Sequence, residues 1–236
     1  MDIHIYDSKG LVARHFSDYL EEFIAGKNEV HIALSGGSTP QIVFEELASH
    51  KKETIDWSNV HFYWGDERCV PPTDDQSNYK MTLTYLLSQI TIPATNIHRI
   101  KGEDIPTEEA VRYEELLREK LPYSGGIPSF DLVILGMGED GHTASIFPHE
   151  IGLWESEKLC EVAVHPESGQ KRITITGKVI NHSKEVAFLV TGIGKKEKVA
   201  EIMKQQGDFK KYPASLVAPE NGNLIWFLDK EAASGL

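Results

Sequence analysis

Asp131-Leu132-Val133-Ile134-Leu135-Gly136-Met137-Gly138-Glu139-Asp140-Gly141-His142-Thr143-Ala144-Ser145-Ile146-Phe147-Pro148 decides how the rest of the chain is read. Residues 130–135 are an apolar run broken only by Asp131, the pattern of a strand buried on both faces. Such strands belong to parallel sheets, whose crossovers are helices. The run delivers a glycine-rich loop with an acid and a histidine two residues apart, Asp140 and His142. Ligands of parallel sheets sit at the carboxyl ends of the strands, which is where this loop falls. Histidine is the side chain best matched to proton transfer near neutral pH, and Asp140 is placed to orient it. The glycines leave room for a substrate and offer N–H donors to a developing oxyanion. A lone histidine is more often structural; its place behind a buried strand in a glycine-rich loop reverses that weighting.

The same unit recurs along the chain. Val12, Phe16, Tyr19, Leu20 and Phe23 share one face of a helix over residues 10–25. Residues 30–34 form a buried strand, then Ser35-Gly36-Gly37-Ser38-Thr39-Pro40 leads into a helix over 40–49, with Thr39 as N-cap and Pro40 at the first helical position. Gly36 and Gly37 allow close backbone approach, and Ser38 and Thr39 add hydroxyl donors at a helix start, a natural place for phosphate. The bland alternative is a tight turn that needs glycine, and the segment lacks both the GxGxxG fingerprint and the lysine of a P-loop. A strand over 60–64 ends at Gly65-Asp66-Glu67-Arg68, where Arg68 can clamp an anion with its planar fork. Asp66 and Arg68 read as functional and Glu67 as structural.

Helices follow over 77–90 and 107–120, the second with Thr107 as cap and Ala110, Tyr113, Leu117 and Leu121 inward. Arg172-Ile173-Thr174-Ile175-Thr176 alternates with period two, which predicts a strand with one open face. A strand over 186–190 runs into Thr191-Gly192-Ile193-Gly194-Lys195-Lys196 and a helix with Val199, Ile202 and Met203 inward; residues 224–228 form the last strand. Strand–loop–helix units in series predict an α/β fold, a mostly parallel sheet with helices on both faces. Segments 35–40, 65–72, 136–148 and 191–196 all follow strands and are expected to converge on one crevice.

At 236 residues with no repeat or linker, one domain spanning 1–236 is expected. The net charge of −12 disfavours nucleic acid and anionic membrane as partners, so the cations near glycine-rich turns, Arg68, Arg172 and Lys195, carry any anion recognition. The first six residues show no basic region ahead of a long apolar one, and no apolar run nears the ~20 residues a bilayer needs. Cys69 and Cys160 form no CxxC pair, which fits a reduced cytoplasmic protein. No HExxH or Cys/His spacing predicts a metal site.

Ser35-Gly36-Gly37-Ser38-Thr39-Pro40, Trp64-Gly65-Asp66-Glu67-Arg68-Cys69-Val70-Pro71 and Gly136 to Pro148 together resemble the 6-phosphogluconolactonases of the glucosamine-6-phosphate isomerase/6-phosphogluconolactonase family, in that family's order and spacing. Arg172-Ile173-Thr174-Ile175-Thr176, Thr191-Gly192-Ile193-Gly194-Lys195 and Trp226-Phe227-Leu228-Asp229 fit too, so the resemblance covers nearly the whole chain. It implies a modified Rossmann-like sheet of the sugar-phosphate isomerase type. It also implies hydrolysis of 6-phospho-D-glucono-1,5-lactone to 6-phosphogluconate in the oxidative pentose phosphate pathway, without cofactor or metal. On that resemblance His142 is the general base, and the 35–40 loop, Arg68, Arg172 and Lys195 contact the sugar phosphate. The expected partner is a phosphorylated sugar lactone, bound by a monomer or small homo-oligomer. The family often continues the Arg172 strand with Leu-Pro, whereas Gly177-Lys178 follows Thr176 here. The alternatives are a deaminase or isomerase of the same superfamily and a non-catalytic sugar-phosphate-binding protein. The deaminases carry a Glu where this chain has Phe147, which cannot transfer a proton.

Overall fold

The computed structural model describes residues 1–220 and 222–236. The first half of the chain comprises β1 (Asp2–Tyr6), α1 (Lys9–Ile24), β2 (Val30–Leu34), α2 (Ser38–His50), β3 (Val60–Trp64), β4 (Asp66–Arg68), α3 (Asn78–Thr82), β5 (Ile97–His98) and α4 (Pro106–Lys120). The second half comprises β6 (Tyr123–Ser124), β7 (Ile127–Pro128), β8 (Leu132–Leu135), β9 (Cys160–Val164), β10 (Lys171–Ile175), α5 (Gly177–Asn181), β11 (Glu185–Val190), α6 (Lys196–Lys204) and β12 (Asn223–Asp229).

Seven of these strands form one sheet in the order β1-β12-β11-β8-β2-β3-β5, and every pairing in it is parallel. Crossovers between parallel strands are right-handed. From β1 to β5 the chain steps one way across the sheet, and from β5 through β8 and β11 to β12 it steps back. One hand with two directions puts α1 to α3 on one face and α4 to α6 on the other. β2 and β8 are neighbours whose chains depart in opposite directions, so the switch point lies between their carboxyl ends. β2 and β8 are buried at every residue, as their apolar runs require. Val12, Phe16 and Leu20 of α1 are fully buried, each contributing roughly 1.5–3 kcal/mol by leaving water.

Two caps differ from the sequence expectation. α2 starts at Ser38 with Gly37 as its N-cap, at φ +110° where a side chain is strained. Thr39 therefore lies inside the first turn, and its hydroxyl meets the Thr191 hydroxyl at 2.8 Å. α4 begins at Pro106 with Ile105 at the cap, so Thr107 is a helical residue and caps nothing; Glu108 and Glu109 in the first turn complement the helix dipole instead. Residues 77–90 begin as α3 and widen into a π-turn over Leu83–Leu87.

A second sheet, β4-β10-β9, is antiparallel and flanks the first. It overturns the expectation of an open face on β10: Thr174 and Thr176 are fully buried and Arg172 is half-buried. The Thr174 hydroxyl accepts from the Ser145 N–H at 3.1 Å, and the Thr176 hydroxyl donates to the Lys158 carbonyl at 2.8 Å. Alternation in this strand serves a neighbouring loop rather than water.

Candidate active site

At the switch point lies a cavity of about 250 Å³. Gly36, Gly37, Ser38 and Thr39 reach it from the start of α2, Asp66 and Arg68 from β4, His142 from the loop after β8, Arg172 from β10 and Lys195 from the loop after β11. The four segments that follow strands thus meet in one crevice. Asp140 is the one expected site residue that does not line the wall; it stands behind His142.

With Nδ1 protonated, His142 donates to the Asp140 Oδ1 at 2.6 Å, and the His142 backbone N–H donates to the same oxygen at 3.1 Å. Burial pushes the Asp140 carboxyl up, but the hydrogen bonds from the His142 ring and backbone N–H outweigh it and hold the group below its ordinary range. Nε2 is left as the nitrogen with a free lone pair. The pair needs Gly138: a Cβ there would overlap the His142 ring and the Asp140 carboxylate. The loop then turns through Ala144, whose φ of +49° is rare for a residue with a side chain and lies on the cavity wall. Phe147 is fully buried and packs on the His142 ring, with centroids 4.7 Å apart.

The cations are set by register. Arg68 and Arg172 are direct cross-strand partners. Each has a buried Nε with no hydrogen-bond partner in the structure. Arg68 Nη1 donates to the Gln76 carbonyl at 2.5 Å; the Arg172 guanidinium lies 5.5 Å from the Phe147 ring. Among the described residues, neither arginine nor Lys195 has a carboxylate oxygen within 4.0 Å. Burial lowers the pKa of Arg172, opposed by Asp66, and that of Lys195, opposed by Glu139 and Asp140. Like charges facing each other across strands are destabilising, and a bound anion relieves that cost. The first turn of α2 adds unpaired N–H groups at the positive end of a helix.

Sequence reasoning missed Asn78 and Ser145. The buried Asp66 carboxylate accepts from the Ser145 hydroxyl at 2.5 Å and from Asn78 Nδ2 at 3.3 Å, so it ties β4 to the histidine loop and to α3. The Asn78 amide occupies the space that a Cβ on Gly36 would fill, which explains a glycine there. Glu67 is structural, as expected: it accepts from the N–H groups of Arg68, Asn78 and Tyr79 and from the Ser77 hydroxyl, at 2.7–3.0 Å.

A sequence profile described as glucosamine-6-phosphate isomerases/6-phosphogluconolactonase matches residues 9–226. The chain belongs to this family. A 6-phosphogluconolactonase of Haemophilus influenzae is 46% identical over 225 residues, covering 93% of this chain and 95% of the relative. A crystal structure described as the devB protein is 41% identical, with a TM-score of 0.95 and coverage of 100% and 99%. The structure of 6-phosphogluconolactonase from Trypanosoma brucei is 29% identical, with a TM-score of 0.87 and coverage of 100% and 98%. Within the family frame, the unusual Gly177 has a local cause: a Cβ there would strike the Trp154 ring. Arg172 pairs with Arg68 on one side and with Ala163 on the other.

Proposed function

We propose that this family member is a lactonase that hydrolyses 6-phospho-D-glucono-1,5-lactone to 6-phosphogluconate, the second step of the oxidative pentose phosphate pathway. The observation that carries the proposal is an imidazole tied through Nδ1 to Asp140, in a cavity whose other walls hold three cations without counter-ions. Asp140 fixes the tautomer, so Nε2 takes a proton from water as that water attacks the lactone C1 carbonyl. The tetrahedral oxyanion is stabilised by backbone N–H groups or a nearby cation. The C1–ring-oxygen bond then breaks, and the departing oxygen takes the proton from the imidazolium. Arg68, Arg172, Lys195 and the start of α2, with Gly36, Gly37, Ser38 and Thr39, hold the phosphate and fix the reacting carbon near His142. No step calls for a metal or a nucleotide.

Phe147 argues against a deaminase. Its ring lies 4.7 Å from the His142 ring and 5.5 Å from the Arg172 guanidinium, where ring-opening chemistry would want an acid, and it has no proton to exchange. Freshly prepared 6-phosphogluconolactone and glucosamine 6-phosphate separate the two: turnover of the lactone well above its spontaneous rate is expected. Ammonia release from the amino sugar would overturn the proposal. We also assign the chain to the cytoplasm as a monomer or small homo-oligomer. Cys69 and Cys160 are free thiols, as a reducing compartment maintains, and no described helix is long and apolar enough to cross a membrane.

A further inference from the structure

At the amino-terminal ends of the strands, away from the crevice, the sheet gathers a second group of histidines. The register of β2 and β3 sets His31 beside His61, and that of β3 and β5 sets Tyr63 beside His98. The rings lie against one another: His31–His61 centroids are 5.0 Å apart, His61–His98 5.5 Å and Tyr63–His98 4.4 Å. Glu29, one residue before β2, brings its Oε1 to 3.3 Å from His31 Nε2 and 3.4 Å from His61 Nε2.

We propose that Glu29, His31 and His61 form a binding site for a divalent transition-metal ion of the Zn²⁺ class, separate from the catalytic crevice. Two imidazoles and one carboxylate are a ligand set that zinc takes. With metal–ligand bonds of ~2.0–2.1 Å, the edge of a tetrahedron is ~3.3 Å, so both separations from Glu29 already match a shared ion. The three ligand atoms lie within 4.8 Å of one another, so one ion can bridge them once the two rings draw together. The nitrogens that do not face Glu29 are held: His31 Nδ1 is 3.1 Å from the Tyr63 hydroxyl, and His61 Nδ1 is 3.2 Å from His98 Nε2. Such outer contacts fix ring orientation and tautomer in metal sites.

Access is one-sided. The His31 and His61 side chains are 7% and 21% exposed and that of Glu29 is 58% exposed, so the fourth position faces solvent. The nearby cations are themselves engaged, Lys184 with Asp131 at 2.7 Å and Lys120 with Glu119 at 2.9 Å. His31 precedes the crevice residue Ser35 by four positions, about 13 Å along a strand, so an ion here does not touch the lactone. It ties β2 to β3 at their starts. No sequence spacing displays this group, because its two histidines lie on strands thirty residues apart that only register joins, with Glu29 just ahead of the first.

The test is calorimetric titration of untagged, chelator-treated full-length protein with ZnCl₂. One Zn²⁺ per chain is expected. Glu29→Ala and His61→Ala should each weaken binding at least ~10-fold, His98→Phe should weaken it by a similar factor through the outer contact, and His142→Ala should bind as the parent does. Glu29→Ala removes an exposed side chain, so it keeps the test valid if His61→Ala fails to fold, and it should leave lactone turnover unchanged. Absence of saturable binding, parental affinity in Glu29→Ala, or binding lost only in His142→Ala would each overturn the proposal.

Discussion

At the residue scale, catalysis and phosphate binding turn on how His142 and Lys195 are held. Asp140 supplies orientation and tautomer, so Asp140→Asn keeps the shape of the loop but favours the wrong tautomer. Steady-state kinetics should show a fall in kcat with little change in KM, bounded by the ~10⁴-fold that loss of an orienting carboxylate can cost. Lys195 gives a pH signature. Its ammonium pKa is lowered by burial, so as pH rises it loses its charge sooner than an ordinary lysine. Affinity for 6-phosphogluconate, followed by titration calorimetry from neutral to alkaline pH, should fall along that limb, and Lys195→Arg should remove the fall. His142, Asp140, Arg68 and Lys195 were legible in the sequence as candidates because charged or titratable residues followed predicted strands, and Arg172 because a cation opened one. Asn78 and Ser145 were not: their work is hydrogen bonding to the buried Asp66, and a polar residue in a loop carries no signal for a partner 12 or 79 residues away.

At the element scale, short capping interactions place the site. Glu67 accepts from the Arg68 N–H in β4 and gathers two backbone N–H groups and the Ser77 hydroxyl at the start of α3, and so fixes Asn78 beside Gly36. Glu67→Ala leaves those buried donors unpaired, each at about 1–3 kcal/mol, and urea unfolding should show a loss of at least that size. Gly36→Ala pushes a methyl into the Asn78 amide; a raised KM for the lactone is expected, greater than that of Ser38→Ala. The strands of the parallel sheet were legible where apolar residues ran together, unbroken in β8 and broken by one histidine each in β2 and β3. Thr39 and Thr107 misled as caps because Gly37 and Pro106 satisfy the same helix starts through backbone conformation alone. The alternation in β10 was real, but its polar side faces the histidine loop and not water.

At the scale of the molecule, topology does the assembling. Opposite chain directions from β2 and β8 open the switch point, and the small antiparallel sheet brings Arg68 and Arg172 to its rim. The convergence of four loops followed from the rule for parallel sheets, whereas the Arg68–Arg172 pairing and the Glu29, His31 and His61 group depend on strand register, which no sequence spacing displays. Both sheets share one continuous core, so we propose a single domain. Near-UV and far-UV circular dichroism should then report one coincident thermal transition, shifted upward by 6-phosphogluconate. The most direct test of the central claim is a comparison, in His142→Ala, of turnover on 6-phosphogluconolactone with affinity for 6-phosphogluconate. A kcat lowered by about 10²–10⁴-fold is expected, with product affinity close to that of the parent. Turnover near the parent's, well above spontaneous hydrolysis, would contradict it.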